Sequence, residues 1–169
     1  MPELQLLRAD HGPAILAFER ANRAYFAASI SDRGDDYFSH FAEHHEARLA
    51  EQEAGTGAYY VLVADDGSVL GRFNLIIDED GIATVGYRVA EAVAGRGVAT
   101  ATVRELCALA AARHGIRILR AATSHANVAS QRVLLNAGFV VTGPAGPDDL
   151  GGKQGIWLQR DLAPAIADR

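Results

Sequence analysis

Between Ile82 and Thr123 the sequence changes its period twice, and this constrains the fold more than any other feature of the chain. Ile82 to Val89 is strand-like. Val98, Thr102, Leu106 and Leu109 then recur at i, i+4, i+8 and i+11, one face of a helix that His114-Gly115 stops, and Ile118 to Thr123 is strand-like again. A strand, a helix and a strand in succession need a crossover, so the two strands are expected to lie parallel with a right-handed connection. Upstream the punctuation is that of hairpins. Tyr59 to Val63 and Val69 to Ile77 flank the turn Asp65-Asp66-Gly67-Ser68, and Asp78-Glu79-Asp80-Gly81 leads into Ile82. Hairpins followed by a crossover predict a mixed α/β fold, a mainly antiparallel sheet with one parallel crossover pair.

The remaining segments fit around that frame. Leu4 to Leu7 is a short strand. Gly12 to about Ala28 is one helix or two short ones, and Asp35 opens a further helical stretch that Gly55-Thr56-Gly57 ends. Val128 to Ala137 is a short helix stopped by Gly138, and Phe139 to Thr142 and Ile156 to Arg160 are the last strands. No repeat or linker divides the chain, so a single domain is expected over 1–169. Apolar residues make up 49% and charged residues 22%, enough to bury a full core and too apolar for a disordered chain.

The start, MPELQLLRAD, has no basic segment followed by an apolar run, and the longest apolar run, Leu106 to Ala112, is too short to span a bilayer. A cytoplasmic protein without membrane association is the expectation. The single cysteine, Cys107, excludes an internal disulfide and a cysteine-based metal cluster, and its helical setting suits a small buried hydrophobe. No metal site is expected. Seven acids lie between Ile30 and Ala54 (Asp32, Asp35, Asp36, Glu43, Glu46, Glu51 and Glu53) against Arg33 and Arg48, so this segment holds the whole chain's net charge of −5. Phosphates would be repelled there, which argues against a nucleic-acid ligand and is compatible with a cationic partner. A solvated helix face accounts for the same acids.

Glu91 to Thr100 reads E-A-V-A-G-R-G-V-A-T, directly between a strand and a helix. Gly95 and Gly97 let the backbone turn tightly and approach a bulky ligand. The amides of the following helical turn lack intrahelical partners and face outward at the positive end of the dipole, an arrangement suited to a pyrophosphate. A P-loop pattern is absent, and a dinucleotide fingerprint fails because Thr100 stands where its third glycine belongs. A plain tight turn is the remaining reading of this segment taken alone.

The second motif follows at N-V-A-S-Q-R-V-L-L-N-A-G-F, Asn127 to Phe139. With it, the stretch from about Ile82 to Thr142 resembles the acetyl-CoA-binding half of the GNAT superfamily of N-acetyltransferases. It is most similar to the branch that includes the bacterial ribosomal-protein alanine N-acetyltransferases. The resemblance implies the acyl-CoA N-acyltransferase fold, with helices of about 12–54 on the acceptor side and about 82–142 binding acetyl-CoA as co-substrate. It implies that the backbone of Gly95, Arg96, Gly97, Val98, Ala99 and Thr100 holds the pyrophosphate. The strand edge at Tyr87, Arg88 and Val89 would pair with the pantetheine arm, and Asn127 would hydrogen-bond that arm. Ser130 would protonate the departing thiolate, and Arg132 would lie near the nucleotide end. Read on their own, Asn127 is a helix N-cap and Ser130 a solvated helix residue. Three positions depart from the family pattern: Ala94 replaces the usual Gln or Arg, Leu134 a tyrosine acid, and Thr84 a glutamate base.

The implied reaction is direct attack of a neutral amine on the thioester, driven by positioning and by a donor to the developing oxyanion. A protein α-amine, with a reference pKa near 8, is about one quarter neutral at about pH 7.5, whereas a lysine is only about 0.1% neutral. Lacking an obvious base, the chain suits an N-terminal amine. His125 would relay a proton through water, or is an exposed loop residue. The expected acceptor is cationic, either a protein N-terminus or a small amine, and a homodimer stays open. The alternatives are a small-amine acetyltransferase and a CoA-binding regulator without catalysis.

Overall fold

A computed structural model describes residues 1–162. Its seven strands are β1 (Glu3–Leu6), β2 (Gly57–Val63), β3 (Val69–Ile77), β4 (Ile82–Val89), β5 (Ile118–Ser124), β6 (Val140–Ala145) and β7 (Gly155–Asp161). They form one sheet in the order β1-β2-β3-β4-β5-β7-β6. Six helices accompany them: α1 (Gly12–Ala21), α2 (Arg23–Ala27), α3 (Asp35–Ser39), α4 (Phe41–Ala54), α5 (Val98–His114) and α6 (Val128–Asn136). The mixed sheet expected from the period changes is present. The β4–β5 pair is parallel, Ile82 to Thr84 lying against Ile118 to Arg120, and the other recorded ladders are antiparallel. Among the described residues no helix is long and apolar enough to cross a membrane, and no group of three or more His, Cys, Asp or Glu is placed to hold a metal ion.

The described residues pack as two compact units, Met1–Ile76 with Gly86–Gly95, and Ile77–Val85 with the described residues from Arg96 on. In the first unit, Leu7, Ile15, Phe18, Phe26, Phe41, Tyr59, Val61, Val69 and Ala90 form the core. Ile15 and Phe18 come from one face of α1, and Phe26 leans on Phe18 with ring centroids 5.5 Å apart. The helical stretch of 12–28 breaks in two at Asn22, whose Nδ2 donates to the Phe18 carbonyl at 3.0 Å. Its Oδ1 accepts from the Glu91 amide at 3.0 Å, so the break fastens the end of α1 to the turn that follows β4. The stretch that Asp35 opens is likewise divided at His40, and Gly55, with φ of 82°, ends it as expected.

In the second unit Val103, Leu106, Cys107 and Ala110 of α5 are buried, as are Leu119, Ala121, Leu134, Phe139 and Leu158. Burial pushes the Cys107 thiol up. β7 inserts between β5 and β6. The penultimate strand therefore forms the sheet edge, where Pro144 costs no ladder bond and the register shifts between Val141 and Gly143. That strand begins one residue later than the sequence suggests and runs three further. Phe139 instead closes α6, its amide donating to the Leu134 carbonyl at 3.0 Å, with Gly138 at φ of 96° before it.

Candidate active site

The turn after β4 runs through a short 3-10 segment, Glu91–Val93, and an extended Ala94 to Gly95 and Gly97. The two glycines have φ of 76° and 77°, in the left-handed region that costs glycine nothing. A Cβ at either would meet no atom within 4 Å, so the backbone lies bare on that side. The first intrahelical bond of α5 is Ala101 N–H to the Gly97 carbonyl at 3.1 Å. The amides of Val98, Ala99 and Thr100 precede it and have no helical acceptor. No acid lies in the first turn, while Arg113 and His114 occupy the last, so the whole 17-residue helix is polarised to favour an anion at its start. Arg96 is exposed beside it. These features fit a pyrophosphate.

Tyr87, Arg88 and Val89 lie on the last part of β4, before this turn. Gly71 on β3 allows the close approach there: a Cβ would stand 3.1 Å from the Val89 side chain and 3.2 Å from the Arg88 carbonyl. The Ala90 amide donates to the Leu70 carbonyl at 2.8 Å, which fixes that end of the strand.

In the second unit, the turn between β5 and α6 gathers the other motif. The Asn127 Oδ1 accepts from the Ser130 amide at 3.2 Å, the N-cap expected from sequence, which leaves the amide NH2 of Asn127 as the group to offer a ligand. Gln131 Nε2 donates to the Ser124 and His125 carbonyls at 2.9 and 3.2 Å and stiffens the turn. Ser130 is half-buried at the third helical position, with Asn127 immediately before the helix. His125 is exposed, and its amide donates to the Gln154 carbonyl at 3.0 Å. Arg132 is exposed one residue beyond Gln131. Leu134 is 1% exposed, a core residue at the position where the resemblance implied a tyrosine acid. Arg104 Nη2 donates to the Asn136 carbonyl at 2.7 Å and ties α5 to the end of α6.

One constellation is absent from the sequence reading. Glu19, on the buried face of α1 and 1% exposed, is surrounded by three guanidiniums. Arg33 Nε and Nη2 donate to its two oxygens at 2.9 and 3.1 Å, Arg72 Nη1 to Oε2 at 2.8 Å, and Arg88 Nη1 to Oε1 at 3.2 Å. Arg72 Nη1 also donates to the Tyr37 hydroxyl at 3.1 Å, while Arg33 lies over the Tyr37 ring and Arg88 over the Phe26 ring, each at 4.7 Å. Burial by itself would raise the Glu19 carboxyl, but the Arg33 hydrogen bond and the three positive charges hold it below its ordinary value. Arg88 is pushed down to about 10, first by burial and then by the charge of Arg33. Two signals in the sequence point here. Glu19 stands four residues after Ile15 on the apolar face of a helix, and Arg72 interrupts the apolar strand V-L-G-R-F.

The acids between Ile30 and Ala54 are less available than their number suggests. Asp32 and Asp35 are both bound by Arg23, at 2.8 Å each. Asp36 meets His40, and Glu51 meets Arg48 and the Tyr59 hydroxyl. Glu43, Glu46 and Glu53 are exposed on α4.

A family model for the acetyltransferase (GNAT) domain matches residues 3–140, and the chain belongs to this family of N-acetyltransferases. No curated protein matches it. Among solved structures it is similar to the ribosomal-protein-S5-alanine acetyltransferase from Vibrio fischeri, with a TM-score of 0.87 and 18% identity over 95% of this chain and 92% of that one. It is similar also to the Salmonella typhimurium acetyl transferase that modifies the N-terminal serine of 50S ribosomal subunit protein L7/L12, at TM-score 0.84 and 20% identity, covering 96% and 95%. A third is the microcin C7 self immunity acetyltransferase MccE in complex with acetyl-CoA and AMP, at 0.82 and 15%, covering 95% and 93%. At these identities the likeness is one of fold.

Proposed function

We propose that the chain moves an acetyl group from acetyl-CoA to a primary amine, and that the acceptor is a protein N-terminal α-amine. The bare glycine turn opening onto the unpartnered amides of α5 carries the reading. Gly95 to Thr100 would hold the pyrophosphate through main-chain N–H groups, a role that Ala94 does not disturb because it needs no side chain. The edge of β4 at Tyr87 to Val89 would pair with the pantetheine arm as an added strand, Asn127 would bond it through its amide NH2, and Arg132 would meet the nucleotide end. The bound co-substrate supplies an activated acetyl group. Ser130 would give its hydroxyl proton to the departing thiolate, and His125 would pass the amine's proton to water.

The acceptor follows from proton accounting. Glu19, the buried acid, has its oxygens occupied by three arginines and holds its proton weakly, so it is unsuited to act as a base. An α-amine is neutral often enough to need little help; a lysine is not. Two of the similar structures are ribosomal-protein acetyltransferases, one of which modifies an N-terminal serine, and this supports the same choice. MccE, bound to AMP, supports the second reading, a small amine as acceptor. A CoA-binding regulator without catalysis is the third, and turnover with any amine removes it.

Calorimetry tests the turn. Gly97→Asp would place a side chain where φ is 77° and a negative charge against the pyrophosphate. Acetyl-CoA affinity should fall by at least about tenfold, or about 1.4 kcal/mol. A folded variant that binds like the wild type would refute the assignment.

A further inference from the structure

The Glu19 cluster holds more positive charge than it uses. Three guanidiniums meet one carboxylate, which leaves two positive charges in a largely buried place. The two oxygens of Glu19 already accept four N–H bonds, and three guanidiniums carry far more donors than that. Arg72 is 6% exposed and its buried Nε has no acceptor. Asp32 and Asp35 share Arg23, and two carboxylates on one guanidinium offset one of those charges, so one positive charge stays unmatched. An ion cluster built only to fasten helices would be expected to balance its charges, because unpaired buried charge is costly. Like-charge crowding is evident in Arg88, whose guanidinium is pushed down by burial and by Arg33 and Arg72.

A recess opens onto the cluster. Glu19, Asp32, Arg33, Arg88, Phe26 and Phe38 are among its walls, Asp32 being held by Arg23, and its volume of about 10 Å³ suits roughly one water-sized group. One oxygen of a carboxylate fits such a space, and Arg33 and Arg88, which line it, carry N–H donors beyond those that Glu19 engages. The two aromatic walls suit a short apolar stem.

The geometry points to a carboxylate receptor: Arg33 and Arg88, oriented by Glu19, bind a carboxylate carried by the amine acceptor and so determine its specificity. Placement supports this. Arg88 sits between Tyr87 and Val89 on the strand proposed to hold the pantetheine arm, so the receptor lies one side chain from that strand's backbone. The inference rests on the amine-acetylation reading. The carboxylate has two sources, the α-carboxylate of a free amino acid or an Asp or Glu side chain near a peptide's N-terminus.

Steady-state kinetics at saturating acetyl-CoA separates the possibilities. One acceptor pair is a free amino acid and its amide; the other is a short peptide with Asp or Asn at its second position. Each pair is compared at equal concentrations of neutral amine, because amidation changes the amine's pKa. In at least one pair the carboxylate form should show a KM lower by about tenfold or more, and that pair identifies the source. Arg33→Met should abolish the preference by raising KM for the carboxylate form alone, with kcat and the acetyl-CoA KM nearly unchanged, and Arg33→Lys should restore part of it. Should Arg33→Met fail to fold, the wild-type comparison still decides. Equal KM values within both pairs, with transfer proceeding, would overturn the receptor. Absence of transfer to every amine would overturn the proposed function, and the inference with it.

Discussion

A carboxylate enclosed by three guanidiniums ties the ionisation of Glu19 to the stability of its unit. Its folded pKa lies below its ordinary value, so the charged form is favoured by folding. The contribution is complete above the unfolded pKa, about 4.3, and disappears as pH falls through the lower folded value. Glu19→Gln should therefore lose about 3 kcal/mol or more at neutral pH, where it strands buried cations, and decline less steeply than wild type under acid. Urea unfolding at about pH 7 and about pH 3.5 measures both. Parallel losses in the two proteins would show that Glu19 is not the linked group. Ser130 poses a different question, since its backbone already serves the cap of α6. If its hydroxyl protonates the thiolate, Ser130→Ala should lower kcat by about 10²–10⁴-fold while the acetyl-CoA KM changes little. Near wild-type kcat with chemistry rate-limiting would leave Ser130 only its place in the helix.

At the scale of elements, what the sequence reveals depends on whether the cause is local. β3, β4 and α5 have the boundaries expected of them because turn glycines and periodic apolar residues are written in adjacent positions. The N-cap at Asn127 and the glycine turn before α5 are local in the same sense, and both are found where they were expected. The break at Asn22 is not local: its side chain is drawn to the Glu91 amide across the first unit, and nothing around residue 22 announces that partner. The position of β7 between β5 and β6 is likewise a matter of pairing rather than of composition, and it moves the edge to the strand that contains Pro144. The Glu19 cluster joins residues 19, 33, 72 and 88 from four segments. Glu19 and Arg72 are each visible as a charge among apolar neighbours, but the meeting of all four depends on tertiary packing. The roles assigned to Ser130, His125 and Arg132 come from resemblance; the structure adds burial and backbone bonding and leaves their chemistry to experiment.

The whole molecule carries 21 acids against 16 bases, and the segment from Ile30 to Ala54 alone accounts for the difference, so the rest of the chain is neutral. Three of that segment's seven acids face an arginine at close range and Asp36 faces His40, which weakens the field they project together. Glu43 and Glu46, exposed and three residues apart on one face of α4, are the better candidates for long-range steering. A protein α-amine approaches mostly as a cation at about pH 7.5, and any further charge comes from the peptide behind it. Two peptides with the same first residues, one ending in lysines and one in glutamates, therefore isolate the long-range part of recognition from the short-range part. The lysine-tailed peptide should have the higher kcat/KM at low salt. That advantage should shrink as the Debye length falls to about 8 Å near physiological ionic strength, with kcat nearly the same for both. Glu43→Lys combined with Glu46→Lys should reduce or invert the difference. If the two peptides behave alike at low salt, these acids are a solvated helix face, and recognition of the acceptor rests on short-range contacts alone.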